Sequence, residues 1–193
     1  NLHLGEHDGR ELQSAFEHSI ANWNLYLFDG FGSFDPNVIY NRIEYLASGL
    51  ECRIIFLDHL SILLSGLEGD ERRMLDQTMT RLRSLVERTG ISLFLVSHLR
   101  RSNNDRTAHE EGGRVSLSQL RGSHAIAQLS DQVIALERDQ QSETERDVTT
   151  LRIIKNRYSG ETGFAGKLKY NLSTSRFTAH ETTDATFNPA TDF

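Results

Sequence analysis

The sequence predicts an α/β fold, a mostly parallel sheet flanked by helices, with an antiparallel extension toward the C-terminus. Three observations lead there. Residues 52–57 and 92–96 are short apolar runs that end on polar side chains, Asp58 in one case and Ser97-His98 in the other, with a long helical pattern between them. Residues 24–29 form a third such run ahead of another helical pattern, so strands and helices alternate as in β-α-β units. Beyond Asp131, four strand-like runs succeed one another with only polar turns between them, too close together for crossover helices.

Each element follows from local pattern. Leu12, Phe16 and Ile20 recur at helical spacing, and residues 24–29 read as a short buried strand. Residues 30–36 form a turn in which Asp35 caps a helix with Pro36 at its first position. Ile39, Ile43 and Leu46 make that helix's apolar face, and Gly49 ends it. A strand over 52–57 closes on Asp58. After a break at 66–70, Leu75, Met79, Leu82 and Val86 step by four, three and four up to a glycine stop at Gly90. Residues 92–96 are the next strand. From 99 to 118 almost no apolar face remains, and a long polar loop in a compact domain is either functional or disordered. Strand-like runs return at 132–136, 148–155, 165–170 and 176–179, suggesting an antiparallel extension at one sheet edge. Residues 180–193 are a polar, weakly acidic tail ending in Phe193, and no internal repeat is visible.

Composition bounds the function. The 193 residues are 37% hydrophobic and 25% charged, which is ordinary globular composition. A chain of this length buries roughly 70% of its unfolded surface, so one core suffices without disulfides or metals. The single Cys52 fits a buried free thiol. No apolar stretch reaches the roughly 18 residues of a membrane span and no secretory signal is present, so a soluble, intracellular protein is expected. With 27 acidic against 21 basic residues the net charge is −6, which argues against an overall basic coat for nucleic acid but not against a local basic loop in an acidic frame. The chain begins at Asn1-Leu2-His3 and enters an amphipathic pattern almost at once, as though an upstream part were missing.

Three constellations could carry chemistry. Asp58 ends an apolar strand where open parallel sheets place their ligands, and such a carboxylate can hold Mg²⁺ through water beside phosphates. The plainer alternative is a buried strand meeting a turn. His98 ends the next helix-linked strand; if the two strands are neighbours, it emerges beside Asp58 and could face a γ-phosphate, or else it simply meets solvent. Lys155 and Arg157 alternate where a strand runs into Gly160, which puts both cations on one side. A guanidinium there could reach a neighbouring subunit's phosphates as an arginine finger, or the pair could be a solvated strand end.

The order of these motifs adds to them. Asp58-His59, Ser97-His98-Leu99, His109-Glu110-Glu111-Gly112, Leu120-Arg121-Gly122-Ser123, the Gln128 to Arg138 stretch and the Lys155 to Gly163 segment together resemble the helicase half of the bifunctional primase-helicases of T-odd bacteriophages. Those proteins belong to the ring-forming, DnaB-type replicative helicases with a RecA-like P-loop NTPase core. The resemblance runs strongly from about Gly49 to Gly163 and more loosely at both ends.

The resemblance implies an NTP-driven DNA helicase that works as a homo-hexameric ring on single-stranded DNA in the cytoplasm of a bacterial host, with Mg²⁺ as cofactor and ATP or dTTP as substrate. Asp58 is then the Walker B aspartate, His98 the sensor of the γ-phosphate, and Arg157 the finger acting across the subunit interface with Lys155 as a second phosphate contact. Arg100, Arg101, Asn103 and Arg106 belong to the DNA-binding loop, and Arg121, Gly122 and Ser123 to the turn leading back to the core. The tail ending Thr191-Asp192-Phe193 resembles one that docks a replicative polymerase.

Departures accompany the matches. No Gly-x-x-x-x-Gly-Lys-Ser/Thr occurs; the one Gly-Lys pair, Gly166-Lys167, precedes Leu168 in a strand-like setting. Residues 1–179 are therefore expected to be a partial RecA-like domain lacking the phosphate loop, with 180–193 an acidic tail carrying the native C-terminus. Thr107 and Ala127 stand where the phage relatives carry basic residues. A RecA-like recombinase, a non-motor ATPase and a non-catalytic interaction module remain alternatives.

Overall fold

The computed structural model describes residues 9–28, 35–64, 70–99, 109, 111–120 and 124–180. Helix α1 (Gly9–His18) forms where the spacing of Leu12 and Phe16 predicts, yet none of its residues is buried. Residues 24–28 do not form the expected strand. They adopt no regular structure and stand exposed, Leu27 at 84%, because an apolar run becomes a strand only when a neighbour pairs its backbone and no described segment does so here. Asp29 lies outside the described residues.

The helices that build the core begin and end as the sequence dictates. In α2 (Pro36–Gly49) the Asp35 carboxylate accepts the Asn37 amide at 2.9 Å. In α3 (Glu71–Thr89) Asp70 accepts from the Arg72 amide at 2.9 Å. Gly90 ends α3 at φ 70°, a left-handed backbone that costs glycine little, and its N–H donates to the Val86 carbonyl. Ile39, Tyr40 and Ile43 of α2 meet Leu75, Met79, Leu82 and Leu85 of α3, with Leu60 and Leu63 of a short 3₁₀ segment and Leu64 just after it closing the cluster.

Strands β1 (Ile54–Leu57) and β2 (Ser92–Leu95) pair in parallel with Ile54 opposite Ser92 and Leu57 opposite Leu95. The β-α-β expectation holds for this pair. Ile55, Leu57, Leu93 and Leu95 turn to the core, with Cys52 only half-buried beside it. On the other face Ile54, Phe56 and Phe94 are exposed and Phe56 stacks on Phe94 at 4.7 Å, so no described helix covers that side.

The C-terminal strands also follow the pattern. After α4 (His124–Leu129), β3 (Gln132–Glu137), β4 (Val148–Asn156), β5 (Gly163–Asn171) and β6 (Arg176–Ala179) form an antiparallel sheet in chain order. It is a sheet of its own, where an extension of the first sheet's edge was expected; among the described residues no strand joins the two. Its register shifts between Val133 and Ile134 and between Leu151 and Arg152.

Candidate active site

Parallel pairing decides which candidates meet. With β1 beside β2, the chain leaves both strands at the same end, and hydrogen bonds from Val96 to the Leu57 carbonyl (3.0 Å) and from Leu60 to the Val96 carbonyl (2.9 Å) hold the two exits together. Asp58 and His98 therefore emerge side by side, as the strand-neighbour expectation required. Between them lies His59, whose ring meets that of His98 edge-on at 4.4 Å and whose Nδ1 is 3.9 Å from an Asp58 carboxylate oxygen. That is an ion-pair distance when the ring is protonated and too long for a hydrogen bond. The Asp58–His59 peptide is cis.

The Asp58 carboxylate is 77% exposed. Among the described residues no three His, Cys, Asp or Glu side chains gather to hold a metal. A lone, accessible carboxylate at a strand end suits Mg²⁺, a hard cation that keeps most of its waters and takes one or two carboxylates plus phosphate oxygens. It would not suit a caged structural metal.

Lys155 and Arg157 reach the same side, as their alternate spacing predicts, but not toward Asp58. Lys155 Nζ donates to the carbonyls of Ala127 (2.6 Å), Ser130 (2.6 Å) and Gln128 (3.2 Å). Those are carbonyls that the end of α4 leaves without helical partners, so the ammonium caps the helix and sits at the negative end of its dipole. Its three donors are thus engaged within the chain, a different setting from the expected phosphate contact. Burial lowers the Lys155 pKa from its ordinary value, the Arg157 charge lowers it further, and Asp131 partly opposes both.

Arg157 donates from Nη1 to Asp131 Oδ1 at 3.0 Å and from Nη2 to the Gln128 carbonyl at 3.1 Å. Its own amide donates to the Asp131 carbonyl at 2.8 Å. The other Asp131 oxygen accepts from Arg83 Nη1 at 2.6 Å, and Arg83 also donates to Glu87 at 2.8 Å; these two hydrogen bonds, Glu87 first, raise its pKa. Asp131 is the residue that sequence reasoning missed. It was visible only as part of a Gln-Leu-Ser-Asp string, because its partners stand 26 and 48 positions away.

Arg100, Arg101, Asn103, Arg106, Arg121, Gly122 and Ser123 lie outside the described residues, as does the tail from 181 to 193. What is described is the base of the long loop. Leu99 forms an antiparallel bridge with Leu120, Glu111 forms one with Asp139, and Arg114 is exposed.

Comparison with known proteins agrees with this architecture. The family model for the DnaB-like helicase C terminal domain matches residues 1–179. The DNA helicase/primase of Enterobacteria phage T3 is 39% identical over 168 residues, which is 86% of this chain and 29% of that protein. The chain thus spans less than a third of that relative. A solved DnaB-like replicative helicase superposes with a TM-score of 0.72 at 20% identity, covering 92% of this chain and 42% of the other. A solved ATPase domain superposes with a TM-score of 0.73 at 22% identity, covering 92% and 62%. At these identities the solved structures speak for the fold, an α/β core. The match over residues 1–179 places the chain in the DnaB-like helicase C-terminal domain family.

Proposed function

We propose that the protein is part of an NTP-dependent replicative DNA helicase that assembles as a homo-hexameric ring and moves along single-stranded DNA. The observation that carries this is the side-by-side emergence of Asp58 and His98 from parallel strands in a chain of this family. Asp58 would orient the waters of Mg²⁺ on ATP or dTTP, and His98 would sense the γ-phosphate. The bound metal–nucleotide supplies the phosphoryl bond that is cleaved. The phosphate-cradling loop is not in this sequence, so hydrolysis is proposed for the protein that includes it.

Arg157 would act across the interface between subunits. Within one chain its hydrogen bonds run to Asp131 and Gln128, and none to Asp58 or His98, so a finger role requires a neighbour's phosphates. A guanidinium has the planar fork and permanent charge for that task. Lys155, by capping α4, would hold the segment that carries Asp131 in place. Arg100, Arg101, Asn103, Arg106 and Arg121 would contact the DNA backbone in the central channel, with Gly122 and Ser123 in the turn behind them. Such contacts are sequence-independent and weaken steeply with salt. Residues 1–179 would form the motor portion and 180–193, ending at Phe193, a tail able to dock a polymerase.

The test is unwinding of forked DNA by the full-length protein with NTP and Mg²⁺. Arg157→Ala should abolish unwinding and lower hydrolysis by about a thousandfold while rings still assemble. Undiminished turnover in that variant would remove the finger assignment, and hydrolysis without unwinding in the wild type would favour a non-motor ATPase.

A further inference from the structure

Glu137 is the one charged residue among the described residues that is buried, at 7% exposure. A buried carboxylate persists only when its lone pairs are engaged. Here Oε1 accepts the Val115 amide at 2.8 Å, and the two oxygens take a bidentate grip from Arg152, with Nε at 3.1 and 3.2 Å and Nη2 at 3.1 Å. Val115 is itself buried and ends the stem by which the long polar loop rejoins the core. Just before it, Glu111 bridges Asp139, and Gly112 at φ 76° approaches so closely that a Cβ would stand 3.1 Å from Asp139. The stem is thus fastened to the end of β3 by one side chain and one backbone bridge.

The same two strands carry the finger at their other end. In the β3–β4 register, Gln132 faces Asn156 next to Asp131 and Arg157, and Glu137 faces Thr150 roughly 20 Å away along the strand. One hydrogen-bonded hairpin therefore connects Arg157 to the loop stem, interrupted only by the register shift between Val133 and Ile134.

We infer that Glu137, gripped by Arg152 on the Arg157-bearing strand, is a positioning residue that couples the finger to the DNA loop. Seating of Arg157 on a neighbour's nucleotide shifts β4, Arg152 carries that shift to Glu137, and Glu137 moves the Val115 stem. By linkage the coupling runs both ways, so DNA on the loop also favours a seated finger. The inference rests on the helicase reading above.

The experiment compares NTP hydrolysis by full-length rings with and without single-stranded DNA, for wild type, Glu137→Gln and Arg152→Lys. Glu137→Gln should cut the DNA stimulation by about fivefold or more while DNA-free hydrolysis stays near wild type, and Arg152→Lys, which keeps the charge, should retain part of it. A purely structural role would lower both rates together and leave their ratio alone, and an unchanged ratio overturns the inference. Should Glu137→Gln fail to fold because the half-buried Arg152 is left unpaired, the Glu137→Met/Arg152→Met double variant removes both charges at similar volume and is read the same way. A wild-type ring with no DNA-stimulated hydrolysis would instead overturn the helicase reading, and this inference with it.

Discussion

Asp131 sets the resting position of Arg157. Its carboxylate lies between two guanidiniums, with Arg157 at 3.0 Å and Arg83 at 2.6 Å, and its backbone carbonyl holds the Arg157 amide as well. On the proposed finger role of Arg157, Asp131→Asn in the full-length ring should lower kcat by about tenfold, roughly 1.4 kcal/mol, through loss of the Arg157 orientation. Adding Asp131→Asn to Arg157→Ala should cost nothing further, since the two act as one unit. Arg83→Ala, which removes the other partner, should leave kcat near wild type; an equal drop there would show that the effect comes from local packing. Lys155 offers a pH test. Its pKa is held down chiefly by burial, so between that lowered value and the ordinary lysine range the unfolded chain binds more protons than the folded one. Stability from this group is therefore gained as pH rises through that alkaline window. The unfolding free energy of wild type minus that of Lys155→Met should grow with pH there, and a flat difference would contradict the burial. The alternate spacing of Lys155 and Arg157 was legible in sequence; their partners between Ala127 and Asp131 were not, because hairpin pairing and not local pattern brings them together.

At the scale of elements, the helices differ sharply in what they bury. Leu82 of α3 is 2% exposed in the main cluster, and Leu82→Ala should destabilise the chain by about 3 kcal/mol through lost contact and a residual cavity. Phe16 of α1 is 51% exposed, and Phe16→Ala should change stability by less than about 0.5 kcal/mol. Denaturant midpoints measure both, and a loss at Phe16 as large as that at Leu82 would mean that α1 is packed into the core. Caps and apolar stepping made α2 and α3 legible, with Asp35, Pro36 and Gly90 standing at their ends as read, while Asp70, read only as part of a break, caps α3 as well. The C-terminal strands were legible because their alternating runs are broken by polar turns. Residues 24–28 misled because apolar character shows a wish for burial but not whether a partner strand is present.

For the molecule as a whole, one face of β1–β2 stands open, and Arg157 bonds to Asp131 and Gln128 and not to Asp58 or His98. A parallel sheet is ordinarily covered on both sides, and here Ile54, Phe56 and Phe94 are not. Asp58 and His98 share one end of that sheet, and Arg157 is held elsewhere by Asp131. That Asp58 and His98 leave the sheet at the same end could be read from the β-α-β order alone, whereas the Glu137–Arg152 grip on the loop stem depends on residues 15 and 22 positions apart and left no local signature. Net acidity left room for a locally basic loop in the sequence, since a whole-chain charge says nothing about where cations gather. The central claim is that each site is completed by two subunits. Full-length Asp58→Ala and Arg157→Ala proteins, each inactive in hydrolysis, would be mixed under conditions of ring exchange and assayed together. In a head-to-tail ring, random mixing gives roughly a quarter of the interfaces both an intact Asp58 and an intact Arg157 from the neighbour. Hydrolysis should therefore return in the mixture to a substantial fraction of the wild-type rate, and a mixture as inactive as its two components would contradict a finger supplied in trans.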